Sequence, residues 1–249
     1  GLIVDEWGTW HPPAPGRHPR HLWQQNTLRD ALVAAVTLDI FNRHADKVIM
    51  ANIAQTINVL QAMCLTDGPR LLTTPTYHVF DMYQAHQGGQ SLRTICEADD
   101  IAFNVQGQER RIPGLMGSAS LKSGTLTLSV VNPNATLPVE ATISVQGHQP
   151  LHATVTTLTH SDIRAHNTFE APETVTPSTV SLPLAGRGLE PHAGPCHPSG
   201  LDLPASIPGE VLVLPPAGRE RTAQRGQGAP HTHKWTNGLG PGETRTARR

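Results

Sequence analysis

The sequence predicts a parallel α/β unit followed by an antiparallel β-sandwich and a disordered tail. Three observations carry this. An apolar run, Leu2-Ile3-Val4, ends abruptly in Asp5-Glu6 and is followed by helix, strand and helix patterns up to about residue 87. From about residue 90 to 182 the period changes to two. After residue 182 both patterns give way to a Pro- and Gly-rich stretch.

Leu2-Ile3-Val4 has the character of a strand buried on both faces in a parallel sheet. Alternation puts Leu2, Val4 and Glu6 on one side and Ile3 and Asp5 on the other. A loop rich in Pro and His, His11 to His21, comes next. Asn26 is placed to cap a helix whose Leu28, Leu32, Ala35 and Val36 share a face, ending near residues 42–46. Lys47–Ala54 is a second apolar strand and runs on into Ile57-Asn58-Val59-Leu60. A further helix starts at Thr74, with Pro75 in the favoured first turn and Val79, Phe80 and Tyr83 along it. Gly88-Gly89 stops that helix. Tyr77, Phe80 and Tyr83 at helical spacing are expected in the core. These are two βα units, whereas a closed barrel needs eight, so further units are expected upstream of Gly1.

In the second region Leu126, Leu128 and Val130 face one way while Thr125, Thr127 and Ser129 face the other. Val139, Ala141, Ile143 and Val145 repeat the alternation, as do Leu151, Ala153 and Val155. Turns at Asn132-Pro133-Asn134 and Gln146-Gly147-His148 link half-buried strands of a sandwich. These strands display no aromatic platform, so a structural role is expected of them. The last 67 residues hold ten prolines and eleven glycines but no Phe or Tyr, a composition typical of disorder. Within them Gly209–Pro216 alone has strand character. The expected domains are therefore 1–87, 88–182 and 183–249.

Net charge is −1, with no basic excess to favour nucleic acid or an anionic membrane. No segment is long and apolar enough to cross a bilayer, and no signal peptide is visible. Cys64, Cys96 and Cys196 are widely spaced and odd in number, which suits reduced thiols in the cytoplasm. His11, His18 and His21 are too loosely spaced for a zinc site and are read as loop residues rimming a site. His231 and His233 are read as solvated. In a parallel barrel, catalytic groups sit at the carboxyl ends of strands, which makes Glu6, beside Trp7 and Trp10, a candidate reactive group. The other reading, and the commoner one for such residues taken alone, is a surface Asp5-Glu6 pair that merely ends a strand.

Several segments, in this order and spacing, resemble the α-L-arabinofuranosidases of glycoside hydrolase family 51. They are Asp5-Glu6-Trp7-Gly8-Thr9-Trp10, Gln24-Gln25-Asn26-Thr27-Leu28-Arg29-Asp30-Ala31, Phe41-Asn42-Arg43-His44-Ala45-Asp46 and Ala51-Asn52-Ile53-Ala54-Gln55. They continue as Asn58-Val59-Leu60-Gln61-Ala62, Thr74-Pro75-Thr76-Tyr77-His78-Val79-Phe80 and Ala165-His166-Asn167-Thr168-Phe169-Glu170-Ala171-Pro172. The resemblance covers roughly residues 1 to 180. It implies the last two units of a (β/α)8 barrel followed by a jelly-roll sandwich, that is, a C-terminal fragment of such an enzyme.

By the same resemblance, Glu6 matches the nucleophile of a retaining glycosidase, Trp10 the aromatic wall of the sugar pocket, and Gln55 a residue that hydrogen-bonds arabinose hydroxyls. Asp5 has a supporting role. The family's acid/base glutamate follows an asparagine at an earlier strand end and has no counterpart here. Glu97, Glu140, Glu170 and Glu173 belong to the sandwich region. The expected function is removal of terminal α-L-arabinofuranosyl residues from hemicellulose-derived oligosaccharides in L-arabinose metabolism, with the isolated chain inactive. The alternative is a non-catalytic remnant or structural β-sandwich module. The resemblance implies no cofactor and no metal, and a homo-oligomer, often a hexamer, for full-length relatives. The change in composition after Leu182 fits either a shifted reading frame or a natural extension.

Overall fold

The computed structural model describes residues 1–13, 15–139, 141–145, 152–183, 200–202 and 210–214. The expected turn at 146–148, Glu140, Leu151, Cys196, His231, His233 and most of the tail lie outside them.

The chain opens with strand β1 (Leu2–Trp7), helix α1 (Leu28–Arg43) and strand β2 (Val48–Ile53). β1 and β2 pair in parallel, as the βα reading requires. Their register shifts between Val4 and Trp7, where three steps on β1 span two on β2. A second shift falls between Leu2 and Ile3, so the pairing of β1 with β2 is irregular towards both ends of β1. Helix α1 begins one residue later than expected. Its N-cap is Thr27, whose N–H and hydroxyl both donate to the Asp30 carboxylate, at 2.9 and 3.0 Å. Asn26 instead bridges to the second helix, its amide donating to Thr76 Oγ1 at 2.7 Å.

A hairpin follows, β3 (Cys64–Asp67) with β4 (Arg70–Thr73), and then helix α2 (Pro75–Tyr83). Thr74 Oγ1 caps α2 and Pro75 occupies its first turn, as the sequence indicates. A 3-10 turn at Gln84–His86 closes it, and Gly88 takes the left-handed conformation (φ +69°) that ends the segment.

The β region comprises β5 (Gln90–Leu92), β6 (Asp100–Val105), β7 (Gln108–Pro113), β8 (Met116–Lys122), β9 (Thr125–Asn132), β10 (Thr142–Ser144), β11 (His152–Leu158), β12 (Ser178–Pro183), β13 (Gly200–Asp202) and β14 (Glu210–Leu214). Six form one antiparallel sheet in the order β12-β11-β14-β9-β8-β5. Thus the tail segment with strand character is a strand, and it lies inside the sheet between β11 and β9. β6–β7 and β10–β13 are separate two-stranded ribbons. The strand expected over Val139–Val145 is limited to Thr142–Ser144.

The sheet is covered on both faces. Ala119, Leu128, Ala153 and Val155 form a core with Leu92, Leu126, Val130 and Ile143, which is the apolar face legible in the alternation. The opposite face is not solvated as a half-buried strand would be. Thr127 and Ser129 are 1% and 0% exposed because this face lies against α1 and α2. Val131 and Leu158 join a larger core with Leu28, Ala31, Leu32, Ala35 and Leu38 of α1 and with Val79, Phe80, Met82 and Tyr83 of α2. Ala31, Ala34 and Ala35 keep α1 slim where these neighbours close on it.

Several polar side chains inside this contact pair with one another, while Asp39 Oδ2 and His86 Nε2 are buried without a hydrogen-bond partner among the described residues. Asp39, fully buried on α1, accepts from Ser118 Oγ at 2.7 Å and from Ser129 Oγ. Asn42 donates to Ser118 Oγ at 3.0 Å, and Ser91 Oγ donates to the Asn42 carbonyl at 2.8 Å. Beside them His86 Nδ1 meets Ser120 Oγ at 2.9 Å. Burial raises the Asp39 carboxyl to about 7, against the lowering effect of the serines, Tyr83 and Arg43. Burial also lowers His86 to about 4.

These two groups act on stability in opposite senses. Asp39, raised when folded, favours the folded state below its unfolded value and loses that benefit as pH climbs from about 4 to about 7. His86, depressed when folded, opposes this over much of the same window. The difference between the parent and Asp39→Asn isolates the carboxyl. In urea unfolding the parent is expected to lose stability relative to the variant between pH 4 and 7, by on the order of 4 kcal/mol. A pH-independent difference would contradict the burial described.

Candidate functional site

The carboxyl ends of β1 and β2 lie side by side. Trp7 is opposite Ile53, and the Ala54 N–H donates to the Trp7 carbonyl at 3.0 Å. Glu6 therefore stands one residue before, and Gln55 two residues after, a matched pair of positions on adjacent parallel strands. Both side chains are exposed, as is Asp5. Trp10 is 68% exposed and free to present an aromatic face. The other aromatic of this segment turns inward, with Trp7 stacked on Phe80 at 5.9 Å and edge-on to Phe41 at 5.5 Å. The strand end is thus anchored through Trp7 while Glu6 beside it faces solvent.

The loops leaving the two strands join above them. The Leu60 N–H donates to the Leu22 carbonyl at 2.8 Å, and Trp23 and Leu60 form a parallel bridge. Asn58 and Leu60 take positive φ to make the turns of the second loop, and Asn58 is tied to Thr66 through its amide at 2.7 Å. Beneath lies a polar network absent from the list of candidates read in the sequence. Asp30, Gln24 and Gln61 are buried at 2%, 6% and 3% exposure, and all three bond to the loop that follows Glu6. Thr9 donates its N–H to Gln61 Oε1 and its hydroxyl to Asp30 Oδ1 at 2.9 Å. Gln24 Oε1 accepts from the His11 N–H at 2.9 Å.

Gly8 makes room for this. Its φ of +148° is closed to other residues, and a Cβ there would fall on the Gln61 amide. The sequence signal was present, since Gln24, Asp30 and Gln61 all fall in the segments that carry the resemblance, but residue type alone did not show them meeting Thr9.

The loop histidines do not converge. His11 contacts Asp30, whereas His18 and His21 pair with each other at 5.0 Å between ring centroids. No group of three metal-ligating side chains occurs among the described residues. The Ala165–Pro172 segment supports the site from outside. The carbonyls of Ile163 and Ala165 accept from the Arg29 and Leu28 N–H groups at the start of α1, at 3.0 and 2.9 Å. Buried Asn167 donates to the Thr73 carbonyl at 3.0 Å, linking this segment to β4.

Residues 5–193 match the family described as Alpha-L-arabinofuranosidase C-terminal domain. The chain belongs to this family of arabinofuranosidase C-terminal domains. It is 41% identical over 180 residues to an intracellular exo-α-L-arabinofuranosidase of Bacteroides ovatus, covering 71% of this chain and 34% of the relative. It is 26% identical over 216 residues to an intracellular exo-α-(1→5)-L-arabinofuranosidase of Bifidobacterium longum, covering 75% and 38%. Among solved structures it is similar to the GH51 arabinofuranosidase of Xanthomonas axonopodis pv. citri, with a TM-score of 0.73 at 35% identity over 86% of this chain and 41% of the other. The α-L-arabinofuranosidase of Thermotoga maritima has the same fold, with a TM-score of 0.70 at 23% identity over 86% and 42%. The chain spans about a third of the length of the curated relatives it matches. No helix among the described residues is long and apolar enough to cross a membrane.

Gly8→Ala is expected to lower stability in urea unfolding by more than about 1 kcal/mol, through the positive φ and the displaced Gln61. An unchanged midpoint would mean that the loop does not need this approach.

Proposed function

We propose that this chain supplies the nucleophile-bearing part of a retaining, exo-acting α-L-arabinofuranosidase. The observation that carries the reading is the exposed Glu6 carboxylate at the carboxyl end of β1, beside Gln55 at the end of the adjacent parallel β2. In this reading a Glu6 oxygen attacks the anomeric carbon as the glycosidic C–O bond breaks. Water then cleaves the arabinosyl–Glu6 ester with retention. Trp10 forms the wall of the sugar pocket and Gln55 hydrogen-bonds the arabinose hydroxyls.

The leaving oxygen needs a proton from a second carboxyl about 5–5.5 Å from the first. Among the described glutamates, Glu170 pairs with Arg70 at 3.6 Å and Glu109 with Arg111 at 2.8 Å, and the resemblance gives the acid/base role to no glutamate of this chain. That lack favours the non-catalytic reading for the isolated chain. It also makes the acid/base a contribution of an upstream part of the barrel. The finer architecture follows: β1 and β2 as the last strands of a (β/α)8 barrel, and the six-stranded sheet as part of a jelly roll. The relatives named intracellular exo-arabinofuranosidases support a cytoplasmic setting and removal of terminal arabinofuranosyl residues, and arabinan- or arabinoxylan-derived oligosaccharides as their source belong to the same proposal. Assembly as a homo-oligomer, such as a hexamer, belongs to the same proposal.

Joined to the N-terminal part of the Bacteroides ovatus relative, residues 1–249 are expected to hydrolyse an aryl α-L-arabinofuranoside. Glu6→Ala should cut kcat by at least about 10³-fold. The isolated chain should show no turnover. Glu6-dependent turnover by the isolated chain would contradict the division of labour, and a joined protein indifferent to Glu6→Ala would contradict the nucleophile assignment.

A further inference from the structure

The Asp30 carboxylate is a junction between helix α1 and the loop that follows Glu6. Both of its oxygens are used. Oδ2 accepts from the Thr27 N–H at 2.9 Å, the Thr27 hydroxyl at 3.0 Å and Arg29 Nη2 at 3.1 Å. Oδ1 accepts from the Thr9 hydroxyl at 2.9 Å and lies 3.3 Å from His11 Nε2. Its place in the first turn of α1 favours the negative charge through the helix dipole.

Thr9 and His11 flank Trp10. Each is held a second time through its backbone, Thr9 by Gln61 and His11 by Gln24. The Gln24 amide returns to the Thr9 carbonyl at 3.2 Å. Trp10 is 68% exposed and has no hydrogen bond or ring contact among the described residues, so we take its backbone position to be set by its two neighbours.

We propose that Asp30 is a positioning residue, clamping Thr9 and His11 so that Trp10 is presented rigidly beside Glu6. The inference rests on the function proposed above. Asp30 does not touch substrate in this account. It acts by restricting the loop that carries the aromatic wall, and the Gln24 and Gln61 amides share the task. Burial makes the clamp stiff, since each of its three polar side chains is removed from water and has no competing solvent partner.

The test uses the joined protein with an aryl α-L-arabinofuranoside. Thr9→Val keeps the side chain's shape but removes the hydroxyl that reaches Asp30, and Thr9→Ser restores that hydroxyl. A looser aromatic wall weakens binding of ground and transition states alike, so KM should rise about tenfold with kcat within about threefold. Thr9→Ser should bring KM back to within about twofold of the parent. A loss of folded protein alone would lower the apparent kcat and leave KM in place. His11→Ala, at a partly exposed position, provides a second reading that does not depend on the folding of Thr9→Val, with KM expected to rise about threefold. Parent-like KM in the folded variants overturns the proposal while leaving Glu6 dependence intact. A parent whose turnover does not depend on Glu6 overturns the functional reading and the proposal with it.

Discussion

The fold depends on the contact between helix α1 and the polar face of the β8–β9 pair. A two-stranded parallel sheet such as β1–β2 is too small to stand alone, and a parallel sheet needs cover. Here Trp7 and Ile53, at the carboxyl end of the pair, pack on the core that α1 shares with the antiparallel sheet, while Leu2, Ile3 and Ile49 stay exposed, so the two halves of the chain share one core. The apolar part of the contact, Leu28, Ala31, Ala35 and Leu38 against Val131 and Leu158, provides most of the cohesion through buried area. Asp39 with Ser118 and Ser129 fixes how the helix sits, since any slide of the helix would strand three buried polar groups at once.

That seating reaches the candidate site through α1 itself. Its first turn carries Asp30, which holds the loop after β1, and its last turn carries Asn42, which bonds to Ser118 on β8. The helix therefore spans from the sheet to the Glu6 end of β1. The carbonyls of Ile163 and Ala165, from the segment after β11, complete its N-terminus. Residues far from Glu6 in sequence thus set the position of the loop beside it, and this accounts for why the resemblance to arabinofuranosidases extends over segments that carry no chemistry.

Much of this was legible in the sequence, and the exceptions have physical causes. The βα units, the Thr74-Pro75 helix start and the Leu126-Leu128-Val130 face follow from periodicity and capping rules that act locally. The strand at Glu210–Leu214 stood out against its Pro- and Gly-rich surroundings. The burial of Thr127 and Ser129 was not legible, because alternation marks which residues share a face and says nothing of what covers the polar one. The N-cap moved from Asn26 to Thr27 because Asn26 has a tertiary partner in Thr76. Glu6 was readable as a strand-end acid, but the register shifts along β1 were not, since they are a property of the pairing with β2. The Asp30–Thr9–Gln61 network joins residues up to 52 apart in the chain, and no local pattern announces it.

Native-state hydrogen exchange in low urea tests the central claim most directly, by comparing amides of α1 with those of β8 and β9. A shared core predicts that the most protected amides of both exchange through one opening, with the same free energy and the same dependence on urea. Protection of α1 lost through a separate, lower-energy opening while β8 and β9 stay protected would contradict it. The helix would then be an appendage to the sheet, and its polar seating would not govern the site.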